Sequence, residues 1–368
     1  LTDDELARLR AVCPRALTHH PVRTPHDALR ELAEATPEEL LADTYGGGEW
    51  LARFEATVAT ELGKEAAAFM PSGTMAQQIA LRIWCERRSC RTIAFHPTCH
   101  LEIHESRGYA LLHDMRALTV GNPARLMTVD DVRGLADPLG AFVVELPQRE
   151  IGAQLPEWDD LCELVQAARG TGAAVHLDGA RLWEAAPHYG RSHAEIAGLF
   201  ESVYVSFYKG LGGLAGAMLA GDAEFIAEAR LWQHRHGGRL VTVAPLALSA
   251  QLGYERNLPK MAAYRNRARE IAERLASLEA VDIVPDPPQT NTFHIFLRGE
   301  RASLEASAHA YARDHGTFVF ARLAPTVAPT LQKWEFVVGD ATLALDTDDV
   351  ERAVRAVLAA ARTPVPAI

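Results

Sequence analysis

The sequence predicts an α/β protein: a large domain on a mostly parallel sheet, followed by a smaller α+β unit. Three observations predict it. Apolar runs of strand length alternate with helix-like segments from Tyr45 to about residue 250, the pattern of a parallel sheet covered on both faces. Two of the runs, Ala173-Ala174-Val175-His176-Leu177-Asp178 and Ser202-Val203-Tyr204-Val205-Ser206-Phe207-Tyr208, are joined by a helix-like stretch over residues 186–200. A strand, a crossover and a strand place both strand ends on one rim of the sheet. Finally, 368 residues exceed one average domain, and the pattern changes beyond residue 250.

Taken in order, residues 1 to about 42 read as helical segments broken at Pro14, Pro21 and Pro25. The apolar run Ala67-Ala68-Phe69-Met70 breaks at Pro71-Ser72-Gly73-Thr74 and resumes with helical spacing through Met75, Ala76, Ile79 and Leu81. Residues 92–96 and 142–146 are expected strands, and residues 158–169 the helix before the strand that ends at Asp178. A long helix follows over residues 246–278, with a kink near Pro259. Strands over 281–284, 292–297 and 317–320 and a terminal helix over 347–361 make the smaller unit. The tail Pro364-Val365-Pro366 reads as loose. The implied division is an N-terminal helical segment (1–44), a large α/β domain (45–250), and a linker helix with a small α+β domain (251–368).

Composition narrows the function classes. A hydrophobic fraction of 48% and a mean hydropathy of −0.07 describe a globular chain with ample core and no membrane-spanning stretch. The first ten residues are charged and amphipathic, unlike a signal peptide. A net charge of −11 argues against a nucleic-acid partner. The five cysteines, Cys13, Cys85, Cys90, Cys99 and Cys162, lack ligand spacing, so reduced thiols in the cytoplasm and no metal site are expected. His19, His20, His188 and His193 lie among polar residues and are expected on the surface.

The chemistry concentrates at the two strand ends. Asp178 closes one run, and Lys209 follows the other and opens the loop Gly210-Leu211-Gly212-Gly213. Ligands of open α/β sheets bind beyond such a rim, so the carboxylate and the amine would face one pocket. Pyridoxal phosphate enzymes need this pair: a lysine for the Schiff base with the cofactor aldehyde, and an acid to hold the pyridine nitrogen protonated. Singly, Asp178 also reads as a helix cap and Lys209 as a turn residue. The Ser72-Gly73-Thr74 turn adds the missing part, because Gly73 admits an anion to the backbone and two hydroxyls with first-turn amides complete a phosphate cup. Alone, it too reads as an ordinary cap.

These residues resemble the low-specificity threonine aldolases of the β-eliminating lyase group, with the fold type I aminotransferase architecture. The matching pieces are Tyr45-Gly46, Leu62-Gly63-Lys64-Glu65-Ala66, Pro71-Ser72-Gly73-Thr74, Cys99-His100, His176-Leu177-Asp178-Gly179-Ala180-Arg181, Lys209-Gly210-Leu211-Gly212 and the segment from Trp232 to Gly238. The C-terminal third matches only in outline. The resemblance implies that Lys209 carries the cofactor, Asp178 meets its ring nitrogen and Ser72, Gly73 and Thr74 hold its phosphate. It further implies that His100 stacks on the ring and Arg181 forks onto the substrate carboxylate. Tyr45 is expected near the substrate. A homodimer or homotetramer is also implied, with Arg239, close to the family arginine's place near Val241, reaching an anion across the interface. The expected activity is cleavage of a β-hydroxy-α-amino acid to glycine and an aldehyde.

The departures from the family surround the substrate. Family members follow the strand-end glutamate with Thr-His-Asn, and this chain has Glu145-Leu146-Pro147-Gln148-Arg149-Glu150. Gln148 replaces a histidine near the β-hydroxyl and is no base at neutral pH, which leaves His100, His104 or an ordered water. Arg149 stands where an asparagine is usual, as either an extra anion contact or an ion pair with Glu150 or Glu145. Tyr208 replaces the serine before the lysine, and Gly47-Gly48-Glu49-Trp50 replaces Glu-Asp-Pro-Thr. The family's second carboxylate-binding arginine has no clear counterpart; Arg149 and Arg322 are the candidates. Two further hypotheses stand beside the aldolase: β-elimination or transaldol exchange with the same cofactor, and a non-catalytic binding relative, against which the intact Lys209 and Asp178 argue.

Overall fold

A seven-stranded sheet organises the segment Glu31–Pro259, one of two compact units in the computed structural model, which describes residues 1–362. Its strands are β1 (Ala66–Met70), β2 (Thr92–Phe95), β3 (Arg116–Thr119), β4 (Ala141–Glu145), β5 (Ala174–Gly179), β6 (Ser202–Ser206) and β7 (Ala217–Gly221). The spatial order is β1-β7-β6-β5-β4-β2-β3. Neighbours from β6 through β5, β4 and β2 to β3 run parallel, whereas β7 is antiparallel to both β6 and β1. The sheet is therefore mostly parallel, as the alternating pattern requires. The strands β5 and β6 are buried along their whole length, which only a sheet covered on both faces allows.

Register places the chemistry. Glu145 pairs with Asp178, and Asp178 with Tyr204, so the three side chains share one face at the strand ends. The same face carries Val143, His176 and Ser202 one pair further in. It is covered by the helix Gly73–Arg87, whose Ile79, Ile83 and Trp84 pack with Val143, Tyr204 and Leu219 in one buried cluster. Ser72 caps that helix, its hydroxyl accepting from the Met75 amide at 3.3 Å.

The other unit joins Leu1–Arg30 to the chain from Lys260 on. It holds the antiparallel strands Val281–Val284, Thr292–Arg298 and Leu331–Val337, with Ala324–Pro325 at the edge. The helices Met261–Ala276, Arg301–His315 and Thr347–Arg362 belong to it. Arg15–Ala16 pairs in parallel with Thr317–Phe318.

Several local expectations change. The stretch expected as one helix over 186–200 is two, Leu182–Tyr189 and His193–Ala197, parted where Gly190 turns left-handed at φ 62°. Pro25 opens the helix Pro25–Ala35 rather than breaking one, a position where a missing N–H costs nothing. The expected strand over 202–208 stops at Ser206, and that over 317–320 spans only Thr317–Phe318. His193 is no surface residue: it is half-buried, bonded to Glu61 at 2.6 Å and edge-on to Trp183. The kink near Pro259 is a 3-10 turn, Leu258–Lys260, between the helices Ala244–Asn257 and Met261–Ala276. No helix among the described residues is long and apolar enough to cross a membrane. The tail Pro364-Val365-Pro366 lies outside the described residues.

Candidate active site

His100, Glu145, Asp178, Arg181, Tyr204 and Lys209 line one cleft with about 290 Å³ of empty space. Each arrives on a different loop or strand end of the rim: His100 after β2, Glu145 at the end of β4, Asp178 near the end of β5 and Lys209 in the loop after β6. Sequence reasoning placed His100, Asp178, Arg181 and Lys209 together, and the structure brings these four together.

Lys209 sits on a tightly folded loop. A Cβ on Gly210 would fall 2.1 Å from a Glu184 carboxylate oxygen, so the loop lies close against the helix Leu182–Tyr189 and a larger residue would displace that side chain. Burial pushes the Lys209 amine down to about 8, the Arg181 guanidinium pushes the same way, and Asp178, Glu145 and Glu184 oppose it. An amine titrating near 8 is partly neutral, and thus nucleophilic, at physiological pH.

Asp178 is 2% exposed, and both its oxygens accept hydrogen bonds. The Ala180 amide donates to Oδ1 at 3.1 Å, and the Gln77 amide nitrogen donates to Oδ2. Glu145 is bonded by the backbone amides of His100 and Arg149, each at 3.2 Å, and by Gln148 Nε2 at 3.4 Å. Burial first, and then the neighbouring Asp178 charge, raise the Glu145 carboxyl above its ordinary range. Gln77 and Glu145 were not among the expected site residues. Gln77 lies one helical turn past the Pro-Ser-Gly-Thr break, on the face turned to the sheet, so helical spacing is the signal that points to it.

His100 is held from behind. Its Nδ1 lies 2.9 Å from Oε1 of Glu105, a carboxylate whose side chain is 2% exposed. With Nδ1 donating to that carboxylate, Nε2 is left as an acceptor. Glu105 is a further residue that sequence reasoning missed, since it follows a four-residue helix, His100–Ile103, with no motif around it.

The phosphate-cup residues head the helix Gly73–Arg87, with Gly73 buried and Ser72 and Thr74 exposed. A Cβ at Gly73 would lie 1.9 Å from the Tyr204 hydroxyl, so only glycine lets the helix start this close to β6.

The remaining expected residues lie elsewhere. Gln148 is 4% exposed and donates to Thr98 Oγ1 at 3.1 Å as well as to Glu145; it braces the cleft wall. Arg149 bonds Glu150 at 2.7 Å, and Glu150 also meets His104 at 3.0 Å. The pairing of Arg149 with Glu150 anticipated from sequence is therefore present. Arg322 pairs with Asp3 at 2.8 Å in the other unit. Tyr45 and Arg239 line a second cavity of about 950 Å³ with Glu55, Arg230 and Gln233; it shares no lining residue with the Lys209 cleft. There Arg239 Nε donates to the Tyr45 carbonyl at 3.0 Å.

Comparison with known proteins gives a consistent result. The β-eliminating lyase family profile matches residues 24–300. A crystal structure from Listeria monocytogenes EGD-E, proposed to be an L-allo-threonine aldolase, shares 39% identity with a TM-score of 0.91, covering 97% of this chain and 99% of that one. One from Exiguobacterium sp. 255-15, proposed as an aromatic amino acid β-eliminating lyase or threonine aldolase, shares 38% identity with a TM-score of 0.91, over 96% and 99% of the two chains. The low-specificity L-threonine aldolase 1 of Arabidopsis thaliana is 27% identical over 296 residues, 77% of this chain and 82% of that protein.

Proposed function

The chain belongs to the β-eliminating lyase family, and from that premise we propose that it is a pyridoxal phosphate enzyme of threonine aldolase type, cleaving β-hydroxy-α-amino acids to glycine and an aldehyde. The observation that carries this reading is the cleft itself, where Lys209, Asp178, His100 and Arg181 converge.

The residues present fit that cofactor. A buried amine lowered to about 8 suits capture of an aldehyde, and a carboxylate with both oxygens engaged as acceptors suits a protonated ring nitrogen. The helix start at Ser72-Gly73-Thr74, with Gly73 pressed against Tyr204, suits a phosphate. When bound, the cofactor supplies an electron sink that weakens the bonds at the substrate α-carbon.

The chain's own residues do the rest. Arg181 takes the substrate carboxylate in a two-point bond, which fixes the amino acid's orientation. His100 Nε2 accepts the β-hydroxyl proton, while Glu105 holds the opposite ring nitrogen and stabilises the imidazolium that forms. With Gln148 occupied by Thr98 and Glu145, His100 is the base that replaces the family histidine. Glu145, raised by burial, is a proton store beside Lys209.

The test is a product assay. Threonine, allo-threonine and phenylserine should each release glycine with the matching aldehyde in equal amounts. Ammonia with an oxo acid, and no glycine, would replace this reading by β-elimination, which the loss of a histidine at Gln148 favours. We also propose a homodimer or homotetramer, supported by the exposed apolar residues Tyr45, Leu231 and Leu240 that line the second cavity. Light scattering would check it. A cytoplasmic location accords with five free thiols.

A further inference from the structure

Behind Asp178 a chain of hydrogen bonds runs through the interior to Trp84. Trp84 Nε1 lies 2.7 Å from Ser202 Oγ, which lies 2.7 Å from His176 Nδ1. His176 Nε2 lies 3.0 Å from Gln77 Oε1, and the Gln77 amide nitrogen meets Asp178 Oδ2. Gln77, His176 and Ser202 are 0% exposed, so no water competes for these partners.

The chain has a direction. An indole N–H only donates, so Ser202 Oγ accepts at one end and is free to pass its own proton to His176 Nδ1. Burial pushes His176 down to about 3, so the imidazole is neutral and has one N–H, which then sits on Nε2. That N–H donates to Gln77 Oε1, which leaves the Gln77 amide protons to face Asp178. The reverse polarity turns the Gln77 oxygen toward Asp178, requires a protonated carboxyl there, and leaves the Ser202 proton without a place in the chain. A neutral chain that ends in a donor presents an N–H to Asp178 and so uses that carboxylate as an acceptor.

We propose that Gln77 is a positioning residue for the cofactor ring: anchored through His176 and Ser202 to the Trp84 donor, it holds Asp178 as an acceptor aimed at the ring nitrogen. This rests on the reading of Asp178 given under the proposed function. The role is electrostatic as well as steric, and it predicts a selective loss rather than a general one.

The test compares two cofactors on the full-length apoprotein by fluorescence titration: pyridoxal phosphate, and its analogue with C–H in place of the ring nitrogen. Wild type should bind the natural cofactor more tightly, because only it has a nitrogen for Asp178. Gln77→Met keeps the volume and removes the amide; it should shrink that preference about tenfold, the scale of one hydrogen bond to a charged group, with analogue binding nearly unchanged. A preference undiminished in Gln77→Met, both cofactors losing equally, means a purely structural role and overturns the proposal. If that variant does not fold, Ser202→Ala carries the comparison: a preference reduced about twofold or more supports the relay, and an undiminished one overturns it. No preference in wild type overturns the Asp178 reading, and the relay falls with it. A wild-type preference that survives Gln77→Met overturns the relay alone.

Discussion

The interior behind the cleft and the surface cluster near it are built by different physics. On the cofactor side, Asp178 is 2% exposed and is backed by a buried hydrogen-bonded chain in which each donor meets an acceptor. On the rim, Arg149, Glu150 and His104 form a charge cluster whose side chains are 28%, 20% and 39% exposed. A buried network is costly to break and admits few arrangements, whereas partly exposed ion pairs are each worth little and re-sort readily. Of the departures from the family, Arg149 belongs to the exposed cluster, Gln148 is buried beside Glu145 and Thr98, and the buried side keeps the His176 to Arg181 string intact. The contrast teaches that the partners of Asp178 are fixed by burial, whereas those of Arg149 and His104 are exchangeable.

Breaking the buried wall should cost most. Lys209→Met should abolish turnover and the visible absorbance that borohydride removes. It should also stabilise the apoprotein, and here pH gives the sign. The folded amine titrates at about 8, below its ordinary value of 10.5. Below pH 8 both folded and unfolded chains carry the charge and the cost of burying it is fully present. Between pH 8 and 10.5 only the unfolded chain is protonated, so wild-type stability climbs with pH. The variant's advantage, on the order of 2–3 kcal/mol, should therefore be greatest below pH 8 and vanish above about 10.5 in chemical denaturation curves. Variant and wild type equally stable at pH 7 would contradict the buried amine.

Asp178→Asn should bind cofactor and lower turnover by about 10²–10³-fold, the scale of one preorganised electrostatic partner. Cofactor-saturated turnover close to wild type would count against the ring-nitrogen role. Glu105→Gln leaves His100 in place and changes only its partner, so turnover should fall about tenfold or more, with KM little altered; a change in KM alone would remove His100 from the proton transfer. The smallest effect belongs to the rim. Arg149→Ala should move KM for threonine by no more than about fivefold, as a partly exposed pair with Glu150 predicts. A larger rise confined to acidic β-hydroxy amino acids would show Arg149 leaving Glu150 to bind substrate, and would sharpen the contrast.

What the sequence reveals follows the same division. Asp178, Lys209, His100 and Arg181 are legible because each stands at a strand end or in the loop beyond it, and a parallel sheet gathers those ends. Gln77 and Glu105 are not, because their partners are fixed by packing: Gln77 meets Asp178 across 101 residues of chain. Strand β7 is hard to read because Ala-Met-Leu-Ala-Gly holds no β-branched or aromatic residue. Its burial between β1 and β6 supplies what local preference lacks. Tyr45 and Arg239 are paired by family likeness with the substrate pocket, and within one chain their loops lead to the second cavity instead.

The helix Gly73–Arg87 meets residues of the cleft twice, at Tyr204 and at Asp178. Its first turn, pressed onto Tyr204 at Gly73, would offer amides to the proposed cofactor's phosphate. Gln77, roughly 6 Å further along the axis at 1.5 Å per residue, grips the carboxylate proposed to meet the ring nitrogen. On the proposed reading, one rigid rod would act as a calliper, with one jaw for each end of the same ligand. A slide of the rod along its axis cannot loosen one jaw without moving the other, so anchoring and electronic activation would be gained or lost in a single step.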